Sequence, residues 1–185
     1  AALSELEDLP SSLLRVESNG RVYGIPVLRY WLSAASYKLF GFNEVGMRLP
    51  NALLGLLTLI LVFAITLRLA GAWAALLAVV VLAGSPYLPI QARSAGGEMG
   101  FVAYLTLALF GLFQIADGSK FLGRSLYGLA FGLLFLEKGL YGPGLLSVIV
   151  IAIPFFQQEL RRQFIPLAVL SVLGVGGLAS LVLSP

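Results

Sequence analysis

From Asn51 onward the chain is a succession of apolar runs interrupted by charges and turn residues. Six can be read: Asn51 to Leu67, Trp73 to Gln91, Met99 to Ala116, Leu122 to Leu136, Leu140 to Phe156, and Phe164 to Leu183. They are apolar nearly all round, as helices surrounded by lipid and by one another must be. The pattern predicts an all-α integral membrane protein, a polytopic bundle of about six transmembrane helices. Several runs are shorter than the ~20 residues a spanning helix prefers. The fourth and fifth flank Glu137-Lys138-Gly139, so a broken pair of half-helices meeting there is the alternative.

The stretch before these runs, Ile25 to Pro50, has a different pattern. Leu28, Trp31, Leu32, Ala35 and Leu39 share one helical face, and Arg29, Tyr30, Ser33 and Tyr37 share the other. Such a helix lies on a membrane surface. Pro26 is placed at its start, Gly41 at its end and Pro50 in the first turn of the next helix. Farther upstream, Glu5, Glu7 and Asp8 precede Pro10, and Asn19-Gly20 marks a turn before Arg21 and Tyr23. That section reads as a surface helix followed by a loop. Residues 1–50 are therefore expected to form an extracytoplasmic loop with amphipathic surface helices, and residues 51–185 a transmembrane helical bundle. No basic segment leads into an apolar core at Ala1, so the expectation is a chain that starts inside a loop and not at a signal peptide.

Composition narrows the chemistry. Hydrophobic residues make up 59% and charged residues 11%, too little polar surface to cover a soluble globule of 185 residues. Cysteine and histidine are absent, which removes disulfides, thiol nucleophiles and the commonest metal ligands and general base. No metal site and no cofactor are expected, and any chemistry rests on carboxylates, Lys, Arg and Tyr. A net charge of +3 gives no sign of a nucleic-acid partner.

If every run spans, Arg68, Lys120, Arg124, Arg161 and Arg162 share one side in short loops poor in acids, which favours the cytoplasm. The other side receives the opening platform, the loop from Arg93 to Glu98, and Glu137-Lys138. The expected location is a bacterial inner membrane with residues 1–50 on its extracytoplasmic side. Gly128 with Gly132, and Gly174 with Gly176 and Gly177, have the spacing of close helix packing.

Three clusters thus meet on the extracytoplasmic side: Arg29, Lys38 and Arg48; Arg93 with Glu98; and Glu137 with Lys138. Cations at a membrane surface can clamp the phosphate of a lipid whose chain lies in the bilayer, Arg as a planar fork and Lys as a point charge. The same residues can instead snorkel to headgroups or pair locally. Tyr30, Trp31, Tyr37 and Tyr87 suit an aromatic belt, and aromatic rings also stack on sugars. Gly96-Gly97 reads as a turn, because phosphate-cradling glycine loops need a following Lys and Ser or a dinucleotide-fold context. The ionisable residues lie at the ends of the runs, which argues against a channel or carrier.

In order and spacing, Asn19-Gly20-Arg21-Val22-Tyr23, Ile25-Pro26-Val27-Leu28-Arg29-Tyr30-Trp31, Leu39-Phe40-Gly41, Arg48-Leu49-Pro50, Ser85-Pro86, Arg93, Glu98 and Leu136-Glu137-Lys138-Gly139 resemble the lipid-linked-sugar glycosyltransferases of the GT-C superfamily, in the protein-mannosyltransferase and aminoarabinose-transferase branch. The resemblance implies inverting transfer of a sugar from a polyprenyl-phosphate carrier to a lipid or protein acceptor. It implies Arg93, Lys138 and Arg48 as donor-phosphate cations, Tyr30 and Trp31 as pocket residues, and Glu98 as a possible catalytic carboxylate. The family's acidic pair would lie upstream of Ala1. Ile25 stands where the family has Lys, Val27 where it has a second Pro, and Glu98 where it has Asp. Two readings follow. One is part of a longer, active glycosyltransferase whose partners are membrane lipids and a polyprenyl-phosphate-linked sugar. The other is a degenerate, inactive GT-C-like accessory subunit packed against other membrane subunits.

Overall fold

Hydrocarbon offers a backbone nothing to bond to but itself, so a chain this apolar satisfies its amides and carbonyls within helices. The computed structural model describes residues 15–18, 21–24, 28–94, 98–156 and 161–183. These form two short strands, β1 (Arg15–Ser18) and β2 (Arg21–Gly24), and seven helices: α1 (Leu28–Phe40), α2 (Glu44–Gly84), α3 (Tyr87–Arg93), α4 (Glu98–Ala116), α5 (Lys120–Lys138), α6 (Tyr141–Phe156) and α7 (Arg161–Leu183). Among the described residues, α2 and α4 are long and apolar enough to cross a membrane, and shorter apolar stretches run from Tyr141 to Ala152 and from Phe164 to Gly177. The protein is a helical membrane protein. Its chain divides into two compact units, residues 1–103 and 104–185.

The expected loop ahead of α1 is in fact a hairpin. β1 and β2 pair antiparallel with Val16 opposite Tyr23 and Ser18 opposite Arg21. That register leaves two residues for the connection, and Asn-Gly is the dipeptide such connections favour. Asn19 and Gly20 themselves lie outside the described residues, as do Glu5, Glu7, Asp8, Pro10, Ile25, Pro26, Val27, Gly96, Gly97 and Glu159.

Helix α1 ends where glycine predicts: Gly41 takes φ +77°, and its N–H donates to the Tyr37 carbonyl at 2.8 Å. Asn43 then joins two helices. Its Nδ2 donates to the Phe40 carbonyl at 2.8 Å, and its Oδ1 accepts from the Gly46 N–H at 2.7 Å as the cap of α2. Because the cap falls at Asn43, α2 begins ahead of Asn51 and Pro50 lies inside the helix, not in its first turn. Of the apolar face expected on α1, Leu28 is buried and Leu32 half-buried, whereas Trp31, Ala35 and Leu39 are exposed, as a face turned to lipid would be.

Helix α2 is broken at Gly71, whose φ of +83° and ψ of 177° are non-helical. The break falls between the first two predicted runs. It is also a reversal: a Cβ on Gly55 would lie 3.1 Å from Cβ of Ala92 in α3. A straight helix would carry Gly84 roughly 43 Å beyond Gly55 at 1.5 Å per residue, too far for a seven-residue α3 to recover. The second predicted run is divided as well. Ser85 is extended ahead of Pro86, which disfavours helix at the preceding residue, so α3 is a separate helix.

In the second unit the backbones of α4 and α5 touch. A Cβ on Gly123 would lie 2.6 Å from the Gly111 carbonyl oxygen, and one on Gly111 2.9 Å from the Gly123 carbonyl oxygen. Gly118, at φ +97°, lies in the turn between them. Tyr127 and Ser171 share a buried hydrogen bond of 2.6 Å between α5 and α7, and Gly174 lies against the Phe131 ring. This corrects the expected packing glycines. An added Cβ would meet nothing at Gly128, Gly132, Gly176 and Gly177, and of that set only at Gly174 would it meet a neighbour.

Gly123→Ala is expected to destabilise the protein by about 1–3 kcal/mol, because the added methyl forces two backbones apart. Gly128→Ala, in an exposed helix interior, is expected to stabilise it by about 0.5–1 kcal/mol. Thermal unfolding of both variants in one detergent checks the pair, and equal midpoints would contradict the α4–α5 contact.

Candidate functional site

The first unit gathers polar groups where α2, α3 and α4 meet. Asn51 Nδ2 donates to the Ser94 carbonyl at 2.6 Å. Ser94 follows the end of α3, where no further helical amide is available, so the Asn51 amide supplies the missing donor. Ser94 also bonds back to its own helix, its Oγ donating to the Gln91 carbonyl at 3.0 Å. Gly55 lets Ala92 approach closely, and Met99 lies fully buried beside the same glycine. The end of α3 and the start of α4 are both held at one level of α2.

Three of the predicted site residues fall at this junction. Arg48 is three residues before Asn51 on α2, Arg93 is the last residue of α3, and Glu98 is the first of α4. Arg93 and Glu98 are exposed, and so is Arg48, which pairs with Glu44 one turn back at 2.5 Å. An exposed i,i+4 pair contributes only about 0.3–0.5 kcal/mol, so a stronger anion can displace Glu44 from Arg48. Glu98 belongs in the first turn of a helix, where the dipole favours a carboxylate, and Arg93 in a last turn, where it favours a cation. Chain order thus places opposite charges on successive helix ends.

Tyr30 and Trp31, on the first turns of α1, are 45% and 37% exposed, surfaces open to lipid or ligand. Arg29, beside them, has its Cζ 6.0 Å from the Tyr30 ring centroid. Lys38 is exposed in the last turn of the same helix.

Lys138 belongs to the second unit, as the last residue of α5. Glu137 beside it is only 1% exposed. Tyr104 in α4, also buried, is near enough for the Glu137 charge to act on its phenol. None of Glu98, Glu137 and Lys138 stands without an interaction. The helix stops at Gly139, whose φ of 61° and ψ of −140° suit glycine alone. Gly142 then packs its α-carbon against the Leu134 backbone, where a Cβ would lie 2.7 Å from the carbonyl oxygen. The turn after Lys138 is thereby held by two glycines. Among the described residues no group of three or more Asp and Glu could hold a metal ion.

Asn51, Ser94 and Tyr104 escape the sequence reading. Asn51 gives one signal, an amide among the first residues of an apolar run. Tyr104 gives none, because a tyrosine inside such a run looks like an interfacial aromatic.

Comparison with known proteins bears on this arrangement. The family model described as dolichyl-phosphate-mannose-protein mannosyltransferase matches residues 25–181. An uncharacterised protein of Aquifex aeolicus is 37% identical over 86 residues, 46% of this chain and 17% of its own length. An undecaprenyl phosphate-alpha-4-amino-4-deoxy-L-arabinose arabinosyl transferase of Pseudomonas paraeruginosa is 29% identical over 170 residues, 88% of this chain and 29% of its own length. A Pseudomonas aeruginosa protein of the same description is 29% identical over 169 residues, 87% of this chain and 29% of its own length. The chain therefore spans less than a third of these relatives. No solved structure matches it.

Gly139→Ala is expected to cost about 1–3 kcal/mol of stability, since alanine must adopt a backbone conformation that glycine alone takes readily. Asn51→Leu is expected to cost about 1–3 kcal/mol by leaving the Ser94 carbonyl without its donor. Unfolding midpoints in detergent check both; a wild-type midpoint for Asn51→Leu would show that the bond does not hold α3.

Proposed function

Because the chain belongs to the dolichyl-phosphate-mannose-protein mannosyltransferase family, we propose that it is part of a membrane glycosyltransferase moving a sugar from a polyprenyl-phosphate carrier to a lipid or protein acceptor. The observation that carries this reading is the junction of Arg48, Arg93 and Glu98 at the ends of α2, α3 and α4, in a chain similar to aminoarabinosyl transferases of undecaprenyl phosphate. The proposal includes six spans, a surface region at residues 1–50 and a bundle at residues 51–185. The site then faces the extracytoplasmic side of a bacterial inner membrane.

In such a transfer the bond between the sugar anomeric carbon and the phosphate oxygen breaks, and its electrons leave with the phosphate. Arg93 and Arg48 lower the barrier by stabilising the charge that grows on that leaving group, and the family resemblance assigns Lys138 the same role. The acceptor oxygen or nitrogen bonds to the anomeric carbon from the opposite face, inverting it, and its proton passes to a carboxylate. Glu98 is the base candidate among the described residues. Tyr30 and Trp31 offer aromatic faces to the sugar or to the first isoprene units.

The test uses the natural full-length protein in phospholipid nanodiscs with polyprenyl-phosphate-linked sugar. Arg93→Ala and Lys138→Ala should each weaken donor binding by about tenfold or more, since a charge-assisted hydrogen bond contributes roughly 1.5–3 kcal/mol. Wild-type affinity in both variants would overturn the site. Failure of the natural protein to bind any polyprenyl-phosphate sugar, with stoichiometric recovery of partner subunits, would replace the enzyme with the accessory-subunit reading.

A further inference from the structure

The second arm of α2 does not run unbroken to the charged junction. It stops at Gly84, Ser85 is extended with φ −66° and ψ 141°, and α3 starts afresh at Tyr87. The Ser85 N–H donates to the Val81 and Leu82 carbonyls at 3.0 and 3.3 Å, and its Oγ donates to the Leu82 carbonyl at 2.7 Å. The carbonyls of Ala83 and Gly84 come next. In a continuous helix they would accept from the N–H groups of Tyr87 and Leu88, but the extended Ser85 turns those groups away. Both residues are exposed, and nothing lies within 4 Å of a Cβ built on Gly84.

Depth makes these carbonyls costly. The Asn51 bond to Ser94 and the contact of Gly55 with Ala92 set α3 antiparallel beside the first arm of α2. From Asn51 to the reversal at Gly71 a helix rises about 30 Å, one hydrocarbon thickness. From Ser94 back through α3 to Pro86 the chain descends about 12 Å. The break therefore lies near the middle of the bilayer that α2 crosses. Hydrocarbon has no donor to offer there, so irregular backbone at such a depth is covered by protein or by water.

The residues between the break and the junction indicate water. Tyr87, Gln91 and Ser94, at positions i, i+4 and i+7, share one helical face. Tyr87 is 56% exposed, and the Gln91 amide oxygen lies 3.4 Å from Ser94 Oγ. The first arm of α2 instead exposes Leu53, Leu56 and Ile60, an apolar stripe suited to lipid. A polar stripe thus leads from Ser94, beside Arg93, down to the open carbonyls. Polar groups inside a membrane segment face a packed interior or water, not acyl chains.

We infer that Gln91, Tyr87 and the open backbone at Ala83 and Gly84 line a water-filled cleft that descends along α3 from the Arg93 end to near the middle of the membrane. Its carbonyls accept from water and from the hydroxyl groups of a polar ligand, and have nothing to offer an acyl chain. The inference goes beyond the proposed function and holds whether or not the chain transfers a sugar.

The 185 residues contain no cysteine, so a single introduced cysteine reports its own position. The test uses the natural full-length protein, otherwise cysteine-free, in phospholipid nanodiscs. Ala83→Cys, Gly84→Cys and Tyr87→Cys are each treated with a charged, membrane-impermeant methanethiosulfonate, and modification is followed by intact mass. Ile60→Cys is the control, since Ile60 is 55% exposed on the first arm of α2 and, from the Gly55–Ala92 contact, lies level with Tyr87. Hydrocarbon excludes both the charged reagent and the thiolate, so the three cleft positions should react about tenfold or more faster than Ile60→Cys. Three positions are used so that a variant that does not fold leaves two readings. Rates equal to that of Ile60→Cys at the cleft positions overturn the inference, the break then being sealed by lipid or by another helix. Fast modification confined to Tyr87→Cys also overturns it, because the cleft would end short of the break. Donor binding by Arg93→Ala is a separate readout, so the cleft and the sugar-transfer reading fail independently.

Discussion

Each helix end in this chain exposes amides or carbonyls that lipid cannot bond, and how each end is satisfied decides where the next helix can go. Asn43 serves both sides of one corner, taking the Gly46 amide and giving to the Phe40 carbonyl. At Ser94 the chain has no such local solution. The donor comes from Asn51, 43 residues earlier, and that bond brings the end of α3 to the first turns of α2. The reversal at Gly71 is its geometrical partner, because without it α3 could not return to Asn51. In the second unit glycine does the equivalent work: Gly118 and Gly139 adopt positive-φ backbones that other residues take only with strain, and Gly111 with Gly123 lets two helices touch.

Charge follows from the same constraint. A cation or carboxylate in mid-span would meet hydrocarbon, whereas at a helix end it meets water, a headgroup and a dipole of the right sign. Arg93, Glu98 and Lys138 all take such positions. The groups that suit phosphate chemistry are therefore collected where helices stop.

Much of this was legible in the sequence, because the apolar runs, the stop at Gly41 and the charge clusters each express a local rule. The family was legible too, since the ordered residues from Asn19 to Gly139 belong to one pattern. Pairings between distant segments were not. Gly128 and Gly132 have packing spacing, but spacing says only that two residues share a helical face, not that the face meets anything. Gly111 and Gly123 touch because of the turn at Gly118, and neither carries a signal in its own run. Ser85-Pro86 looked like part of an apolar run because both flanks are apolar, although the proline alone suffices to end the helix. The β-hairpin was missed because its strands are only four residues each, too short for alternation to stand out beside a turn that was recognised.

Glu137 shows how far a local rule can be overridden. A carboxylate in the last turn of a helix opposes the dipole, and a buried one also gives up its hydration, a penalty of several kcal/mol. It is nonetheless almost completely enclosed, with the Tyr104 phenol near it and an interaction of its own. Packing alone would favour an apolar residue at that position. The end of α5 thus encloses a polar group that needs an ordered surrounding, and the turn at Gly139 and Gly142 comes immediately after it. Lys138, between Glu137 and Gly139, is the last residue of that helix. A side chain carried on an ordered helix end gives up less entropy in any contact it makes than one on a mobile loop.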